Sequence, residues 1–238
     1  EPTRWAIHQV VRELTLAELR EEELLAEFAA RGAECCGAKG ELWVAERIYF
    51  LMMADPEKGI GLGGEVLNRV NTSWDREPGQ AALQAGRDGW WAAHRGEGEQ
   101  TPEPWHFPGW EGDLARMSGE PTQALAAYGR ALQQLGEQDD AYGRALLLNS
   151  MAIVHDTQGL YDEAMRLYGE SLTIKREIGD RHGEGQTLNN MAIIHGAQGH
   201  CDDAMRLYEE SLRIKRELRD RHGEGATLNN MASIHGAQ

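Results

Sequence analysis

With 238 residues, of which 41% are hydrophobic, the chain is long enough to form one large domain or two small ones with an ordered core. Its 39 acidic residues outnumber the 24 basic ones. The formal net charge of −15 argues against a general nucleic-acid binder, because neutralising phosphates requires clustered Lys and Arg. No apolar run approaches the ~18 residues of a membrane span, and no signal peptide is visible, so we expect no membrane partner.

The cysteines and the two ends of the sequence indicate the setting of the protein. Cys35 and Cys36 are adjacent and poorly placed to bridge each other, so with Cys201 they predict free thiols in a reducing cytoplasm. The chain begins at Glu1 without a Met and ends where a repeating unit is only starting. We therefore expect a piece of a longer cytoplasmic protein.

The first residues carry a separate signal. Residues 5–14, WAIHQVVREL, resemble the Met-His-Asp segment in the winged-helix part of signal-transduction NTPases with a nucleotide-binding oligomerisation module. The resemblance implies that residues 1–14 are the tail of such a module and that His8 senses the phosphate of bound ADP. Ile7 and Gln9 stand where the family usually has Met and Asp. ATP or ADP is therefore expected as a ligand of the full-length protein only, and no cofactor is expected in this chain itself.

Residues 15–108 are predicted to form an irregular helical cap or degenerate repeats, since no stretch shows convincing strand alternation. The predicted helices are 14–35, 41–54, 62–74 and 79–95. The sequence GIGLGG at 59–64 lacks the Lys-Ser/Thr pair of a phosphate loop and is predicted to be a turn. The proline-rich residues 96–109 are predicted to be a loop. Core and capping roles are favoured over a ligand platform for the nearby aromatic residues Trp90, Trp91, Trp105, Phe107 and Trp110.

A repeat of 40 residues dominates the second half of the chain. Residues 160–198 return as residues 200–238, with 30 of the 39 positions identical. A fixed period of this length is typical of stacked supersecondary units that bury their apolar faces against one another. Each unit is predicted to have a first helix, such as 183–199, and a second helix, such as 201–218. A glycine-rich loop, GDRHGEG at 179–185, closes the unit.

The pattern within a unit resembles the tetratricopeptide repeat in its 40-residue variant, which is found in bacterial regulators and kinesin light chains. The matching positions of one unit are Leu188, Met191, Ala192, His195, Gly199, Ala204, Tyr208 and Ser211. The resemblance implies an all-α fold, a right-handed superhelical array of helix-turn-helix repeats over residues 109–238. The last unit is expected to contain only a first helix at about 224–238, and an irregular helical cap is expected before the array.

The resemblance also places polar side chains on the concave groove that the first helices line. An Asn amide both donates and accepts hydrogen bonds, so it can hold the backbone of an extended peptide. The predicted peptide- or protein-binding residues are Asn149, Asn189, Asn190, Asn229, Asn230, Gln186, Ile193 and Asp156. The alternative is an asparagine ladder that only bridges neighbouring helices.

Several histidines and one cysteine are of residue types that bind metal ions. The histidines that recur at one position of successive units are His155, His195 and His235. They lie on different units, too far apart for shared zinc ligation, and are predicted to be core histidines. The sequence His-Cys-Asp at 200–202 has no second cluster at a metal-binding spacing. We therefore expect no metal site.

Two charged features recur near the unit boundaries. His182 and His222, in the predicted loops, are interpreted as solvated, with a second binding edge as the alternative. The sequence IKRE at 174–177 and 214–217 puts Lys and Arg at one helix end and is compatible with a local anion-binding patch.

These features favour recognition over catalysis. No Ser-His-Asp, Cys-His or paired-carboxylate arrangement has a recognisable local signature, so we expect no enzyme within this chain. The leading hypothesis is recognition of a protein or peptide by the groove, in the sensor or scaffold region of a larger bacterial signal-transduction ATPase. The alternatives are the substrate-recruiting arm of a caspase-like protease and a self-assembling array whose open repeat end pairs with another copy.

Overall fold

The structure, a computed structural model, describes residues 33, 44–73, 77–94, 104–136 and 140–236. Their regular secondary structure is α-helical throughout, which confirms the all-α prediction for this part of the chain. The predicted tail with His8 and, except for Ala33, the predicted helix at 14–35 lie outside the described residues. The chain divides into two compact units, Glu1–Glu120 and Pro121–Gln238. The division proposed from the sequence, at residues 14 and 108, stays a prediction.

The described part of the first unit has four helices around one apolar core. They are α1 (Val44–Ala54), α2 (Pro56–Ser73), α3 (Glu77–Ala93) and α4 (His106–Met117). Helices α1 to α3 pack against one another, and α4 packs against α2 and α3. Ile48, Met52 and Phe107 are fully buried between them. Gly89 permits the close approach of α1 and α3, because a Cβ there would collide with the carbonyl oxygen of Tyr49.

Two irregular segments predicted in this unit are helical instead. The turn predicted at 59–64 is wrong, because these residues lie inside α2, where Gly59 packs against Met52 and Gly63 against Trp110. These glycines make room for large side chains within a helix rather than ending it. The loop predicted at 96–109 is wrong in its last residues, because α4 begins at His106. Of the aromatic residues near this loop, Trp110 is buried in the core and Trp91 is exposed.

The second unit consists of six described helices. They are α5 (Pro121–Leu135), α6 (Ala141–Thr157), α7 (Tyr161–Glu177), α8 (Arg181–Ala197), α9 (Cys201–Glu217) and α10 (Arg221–Gly236). Helices α6 and α7 form one repeat and α8 and α9 the next, each pair joined by a short turn. Helix α10 is the first helix of a further repeat and packs against α9.

Small residues allow the two helices of each repeat to pack closely. Ala192 of α8 and Ala204 of α9 are fully buried, and Tyr208 fills the space beside them. In the repeat before, Ile194 reaches from α8 into the cluster around Tyr168. Each repeat therefore completes the core of its neighbour, as expected for a stacked array.

The loop predicted at 179–185 is wrong, because most of it is the first turn of α8. The Asp180 carboxylate accepts a hydrogen bond from the backbone N–H of Gly183 (2.9 Å) and caps the helix, which begins at Arg181. Gly185 lies within α8, and the absence of a side chain there leaves room for Ile214 of α9. The exposed His182 thus lies on a helix rather than in a loop.

The turns that follow α7 and α9 have different residues at the position with positive φ. Gly179 and Arg219 both have positive φ, 74° and 58°, and in each turn the next N–H reaches back to a lysine carbonyl at 2.9 Å. A side chain is disfavoured in this left-handed conformation. We expect Arg219→Gly to raise the free energy of unfolding by about 0.5–1 kcal/mol, and Gly179→Arg to lower it by a similar amount. Urea denaturation of both variants tests this, and unchanged midpoints would contradict it.

Candidate functional site

The first helices of successive repeats lie side by side and present one common face. We call it the first-helix face, formed by Tyr142, Leu146, Asn149 and Ile153 of α6, His182, Gln186, Asn189, Asn190 and Ile193 of α8, and His222, Ala226, Asn229, Asn230 and Ser233 of α10. Three large hydrophobic side chains of this face are accessible to solvent: Tyr142 is 58%, Leu146 43% and Ile193 40% exposed. The face becomes more polar from α6 to α10.

Three of the predicted asparagines, Asn149, Asn189 and Asn230, connect neighbouring first helices. Asn149 Oδ1 accepts a hydrogen bond from Thr187 Oγ1 (3.0 Å) across α6 and α8. Asn189 Oδ1 accepts from Thr227 Oγ1 (3.1 Å) and from Asn230 Nδ2 (3.3 Å) across α8 and α10. The ladder proposed as the alternative is therefore present at these positions. It fixes the spacing of the helices that carry the face.

The other predicted polar residues form no side-chain hydrogen bond to a neighbouring helix among the described residues. Among the described residues no side-chain hydrogen bond of Asn190 or Asn229 is formed, and Asn190 is half-buried at the middle of α8. Gln186 is exposed and its Nε2 lies 2.8 Å from His182 Nε2 on the next turn. Asp156 is half-buried at the end of α6, where burial raises the pKa of its carboxyl group.

The lysines of the two IKRE sequences are buried rather than displayed. Lys175 and Lys215 lie at the ends of α7 and α9 and point between the first helices. Lys175 Nζ donates to Thr187 Oγ1 (2.9 Å) and lies 3.4 Å from Asn149 Oδ1. Lys215 Nζ donates to Thr227 Oγ1 (2.6 Å). The sequence pattern located the cations at the correct helix end but could not show that the lysine turns inward.

The adjacent arginine is exposed and joins the repeats through ion pairs. Arg176 bonds to Glu184 of α8 (2.8 Å) and to Glu210 of α9 (2.7 Å), and Arg181 also bonds to Glu184. Burial alone would raise the pKa of Glu184, but the two guanidinium groups hold it below its ordinary value. Arg176 therefore has its counterions within the chain.

The candidate metal ligands do not converge. Among the residues that the structure describes, no group of three His, Cys, Asp or Glu side chains could hold a metal ion. The rings of His195 and His200 are 5.9 Å apart. His155 and His195 are half-buried, and within the described part of the chain their buried Nδ1 atoms have no hydrogen-bond partner. The side chain of His235 lies outside the described residues.

The second unit is thus an α-helical repeat array with an accessible face on its first helices. The family profile of the tetratricopeptide repeat matches residues 110–177 and 143–217. Residues 110–217 therefore carry tetratricopeptide repeats. Such repeats are scaffolds for protein–protein interaction and generally bind protein or peptide partners, and their fold is generally non-enzymatic.

Solved structures with the same fold include two proteins of low sequence identity. BtubC from P. vanneervenii is 14% identical, with a TM-score of 0.52 and 91% of each chain covered. A Signal Transduction ATPase with Numerous Domains (STAND) protein with a tetratricopeptide repeat sensor, from Pyrococcus horikoshii, is 15% identical with a TM-score of 0.58. That match covers 90% of this chain but only 37% of the Pyrococcus protein. At these identities the likeness shows the fold alone.

Two further findings are negative. Comparison with curated proteins gives no significant sequence match. No helix of the described residues is long and apolar enough to cross a membrane.

Proposed function

We propose that the first-helix face binds an extended polypeptide segment of a protein partner. The observation that carries this proposal is the combination of exposed apolar side chains, such as Leu146 and Ile193, with the unengaged amide of Asn190 on one face. The apolar groups supply contact area, and the amide can donate to and accept from a peptide backbone. The inter-repeat hydrogen bonds of Asn149 and Asn189 hold this face in place before a partner arrives, which lowers the entropic cost of binding.

The repeats themselves suggest substitutions that should preserve the fold. The position of Asn190 holds Ser150 in the repeat before, and the position of Ile193 holds Ser233 in the repeat after. We expect the double substitution Asn190→Ser and Ile193→Ser to weaken partner binding at least about tenfold, because both contacts lie at the centre of the face. Titration calorimetry with the purified partner measures the change.

Site-specific crosslinking identifies the partner and locates its contact. A photoreactive residue at Gln186 should crosslink the partner in cells, whereas one at Arg206 should not, because Arg206 is exposed on the second helix α9, outside the first-helix face. Arg206→Ser is the matched control for the affinity measurement. A partner that crosslinks only from Arg206, or whose affinity is unchanged by the double substitution, would contradict the proposal.

We further infer that the chain is the sensor or scaffold region of a larger signal-transduction ATPase. The likeness to the Pyrococcus protein, which combines an ATPase with a repeat sensor, supports this at the level of fold. The resemblance of residues 5–14 to the nucleotide-sensing segment supports it from the sequence. On this proposal His8 contacts ADP, the full-length protein is cytoplasmic, and a ligand on the first-helix face releases an autoinhibited state. Nucleotide binding by the full-length protein that His8→Ala leaves unchanged would contradict the role of His8.

A further inference from the structure

The second helices expose an aliphatic side chain at each of their two ends. Leu160 precedes α7 in the turn within a repeat and is 51% exposed. Leu218 follows α9 in the turn between repeats and is 45% exposed. Helices α7 and α9 each have 17 residues, which corresponds to about 25 Å of helix. The two kinds of turn therefore lie at opposite edges of the array.

A cavity opens at the edge where α7 begins. Its volume is about 440 Å³, within the range of roughly 300–1,000 Å³ that is typical of ligand sites. Leu160 and Tyr161 contribute apolar groups to its lining, and Asp162 and Glu163 contribute negative charge. Glu163 pairs with Arg166, whereas Asp162 is exposed and forms no ion pair among the described residues. We call this cavity the α7-start cavity.

Arginines are concentrated at the other edge, where α9 ends and α10 begins. Arg216 and Arg221 are exposed and share Glu224 as their counterion, at 2.8 and 3.2 Å. Arg219 is also exposed, and within the described part of the chain it forms no ion pair. We call these three arginines and Leu218 the arginine corner. Because the chain has a net charge of −15, most of its surface repels another copy, whereas this corner attracts acidic groups.

The fold of the turn does not explain why residue 219 is an arginine. Its φ of 58° is disfavoured for any residue with a side chain, and the equivalent residue of the preceding repeat is Gly179. Both turns form the same hydrogen bond from the next N–H to a lysine carbonyl. Residues held in such conformations are concentrated at functional sites. The free guanidinium of Arg219 is therefore available to a group outside the chain.

We propose that the arginine corner of one copy of the chain docks into the α7-start cavity of a second copy. Arg219 pairs with the free carboxylate of Asp162 of the second copy, since a guanidinium can donate two parallel hydrogen bonds to a carboxylate. Leu218 packs against Leu160 of the second copy, so that both exposed aliphatic groups leave water. Both surfaces lie outside the first-helix face, and the association is independent of the function proposed above.

The contact joins two unlike surfaces and is therefore heterologous. Each pair of copies retains one free cavity and one free corner, so further copies can add until a ring closes. A contact between one corner and one cavity is smaller than a standard protein interface, and the net charge opposes it. The association should therefore be weak and should increase with protein concentration.

Sedimentation velocity of the 238-residue chain, from about 10 μM to about 1 mM, tests the proposal. The weight-average mass of wild type should rise with concentration. Arg219→Gly recreates the turn that follows α7, so its effect on association cannot result from unfolding. This variant and Asp162→Asn should each raise the dissociation constant at least about tenfold. Lys58→Ala and Asp55→Asn are matched controls, because they make the same changes of charge at an exposed pair in the first unit.

A mixture of the two variants shows which surfaces meet. Arg219→Gly retains an intact cavity, and Asp162→Asn retains an intact corner. The mixture should therefore form heterodimers and nothing larger, although each variant alone stays monomeric in the range where wild type associates. The double variant Asn190→Ser and Ile193→Ser should associate like wild type, because its substitutions lie on the first-helix face.

Each outcome decides for or against the docking of the corner into the cavity. Wild type that is monomeric up to about 1 mM overturns it. Association that persists in either Arg219→Gly or Asp162→Asn also overturns it and indicates another surface, such as the exposed face of α10. A mixture of the two variants that stays monomeric has the same meaning. Loss of association in both variants and heterodimers in their mixture support the proposal.

Discussion

Replacing Tyr168 with alanine should lower the free energy of unfolding by about 3–5 kcal/mol, because the substitution removes the largest side chain from a repeat core. Tyr168 of α7 is fully buried in a cluster with Leu148 and Ala152 of α6 and Ile194 of α8. The small alanine beside it cannot fill the resulting cavity. Because Ile194 belongs to the next repeat, the loss also weakens the stacking of α8. Urea denaturation followed by circular dichroism measures the change.

Tyr142 provides the matched control for this experiment. It is the same residue type in the same repeat, but it is largely exposed on the first-helix face. Tyr142→Ala should change the free energy of unfolding by no more than about 0.5 kcal/mol. Since repeat arrays can unfold in parts, amide exchange in α6 and α7 should be followed as well. Equal destabilisation by the two substitutions would contradict the assignment of Tyr168 to the core.

The repeating helices could be predicted from sequence because the information is local and periodic. Ala192, Ala204 and Tyr208 recur with the 40-residue period, and the structure buries all three at the contact between two helices. Two small residues that face each other, with an aromatic side chain beside them, form a pattern of side-chain volumes. This pattern can be read directly from the sequence. The spacing of the apolar residues, about 3.6 positions, then indicates which side of each helix faces the core.

Glycines account for the elements that sequence did not predict. Gly63 and Gly183 lie in the turn predicted at 59–64 and the loop predicted at 179–185, and glycine lowers helix propensity by about 1 kcal/mol relative to alanine. In the fold each lies in a helix against a bulky group, the ring of Trp110 and the side chain of Lys175. Trp110 is distant from Gly63 in sequence, so tertiary packing decides that position, whereas Gly183 also contacts the nearby residue Asp180, which caps α8. Local propensity therefore gave the wrong result.

The candidate site was predicted only in part for a related reason. Asn189 and Asn190 are adjacent, and one residue along a helix rotates the side chain by roughly 100°. The structure shows that Asn189 bonds to the next repeat, while Asn190 keeps its amide unengaged among the described residues. The same rotation separates Lys175, which is buried, from Arg176, which is exposed. Sequence identifies such pairs of residues, but only the packed neighbours show which member turns inward.

Replacing Lys175 and Thr187 together by leucine should raise the free energy of unfolding by about 1–3 kcal/mol at neutral pH. The double substitution recreates the buried pair Leu135 and Leu147 of the preceding repeat, so the side chains have a known way to pack. It removes a buried ammonium that Asp180 attracts but that forms no close ion pair among the described residues, together with its main hydrogen-bond partner. Urea denaturation of both proteins at several pH values measures the difference.

The pH dependence identifies the buried charge as the cause. Lys175 has a pKa of 10.5 unfolded and about 8 folded, so between these values the unfolded state binds more protons. Wild-type stability should therefore rise with pH from about 8 towards 10.5, and the cost of the charge is fully present below about pH 8. The advantage of the double variant should shrink by up to about 1.4 kcal/mol per pH unit above pH 8. Lys215 contributes a similar dependence, but it is common to both proteins and cancels.

Two results would contradict this account of Lys175. One is a double variant less stable than wild type at neutral pH, and the other is an advantage that does not change with pH. Lys58→Leu is the control, because its exposed ammonium should leave stability within about 0.5 kcal/mol of wild type.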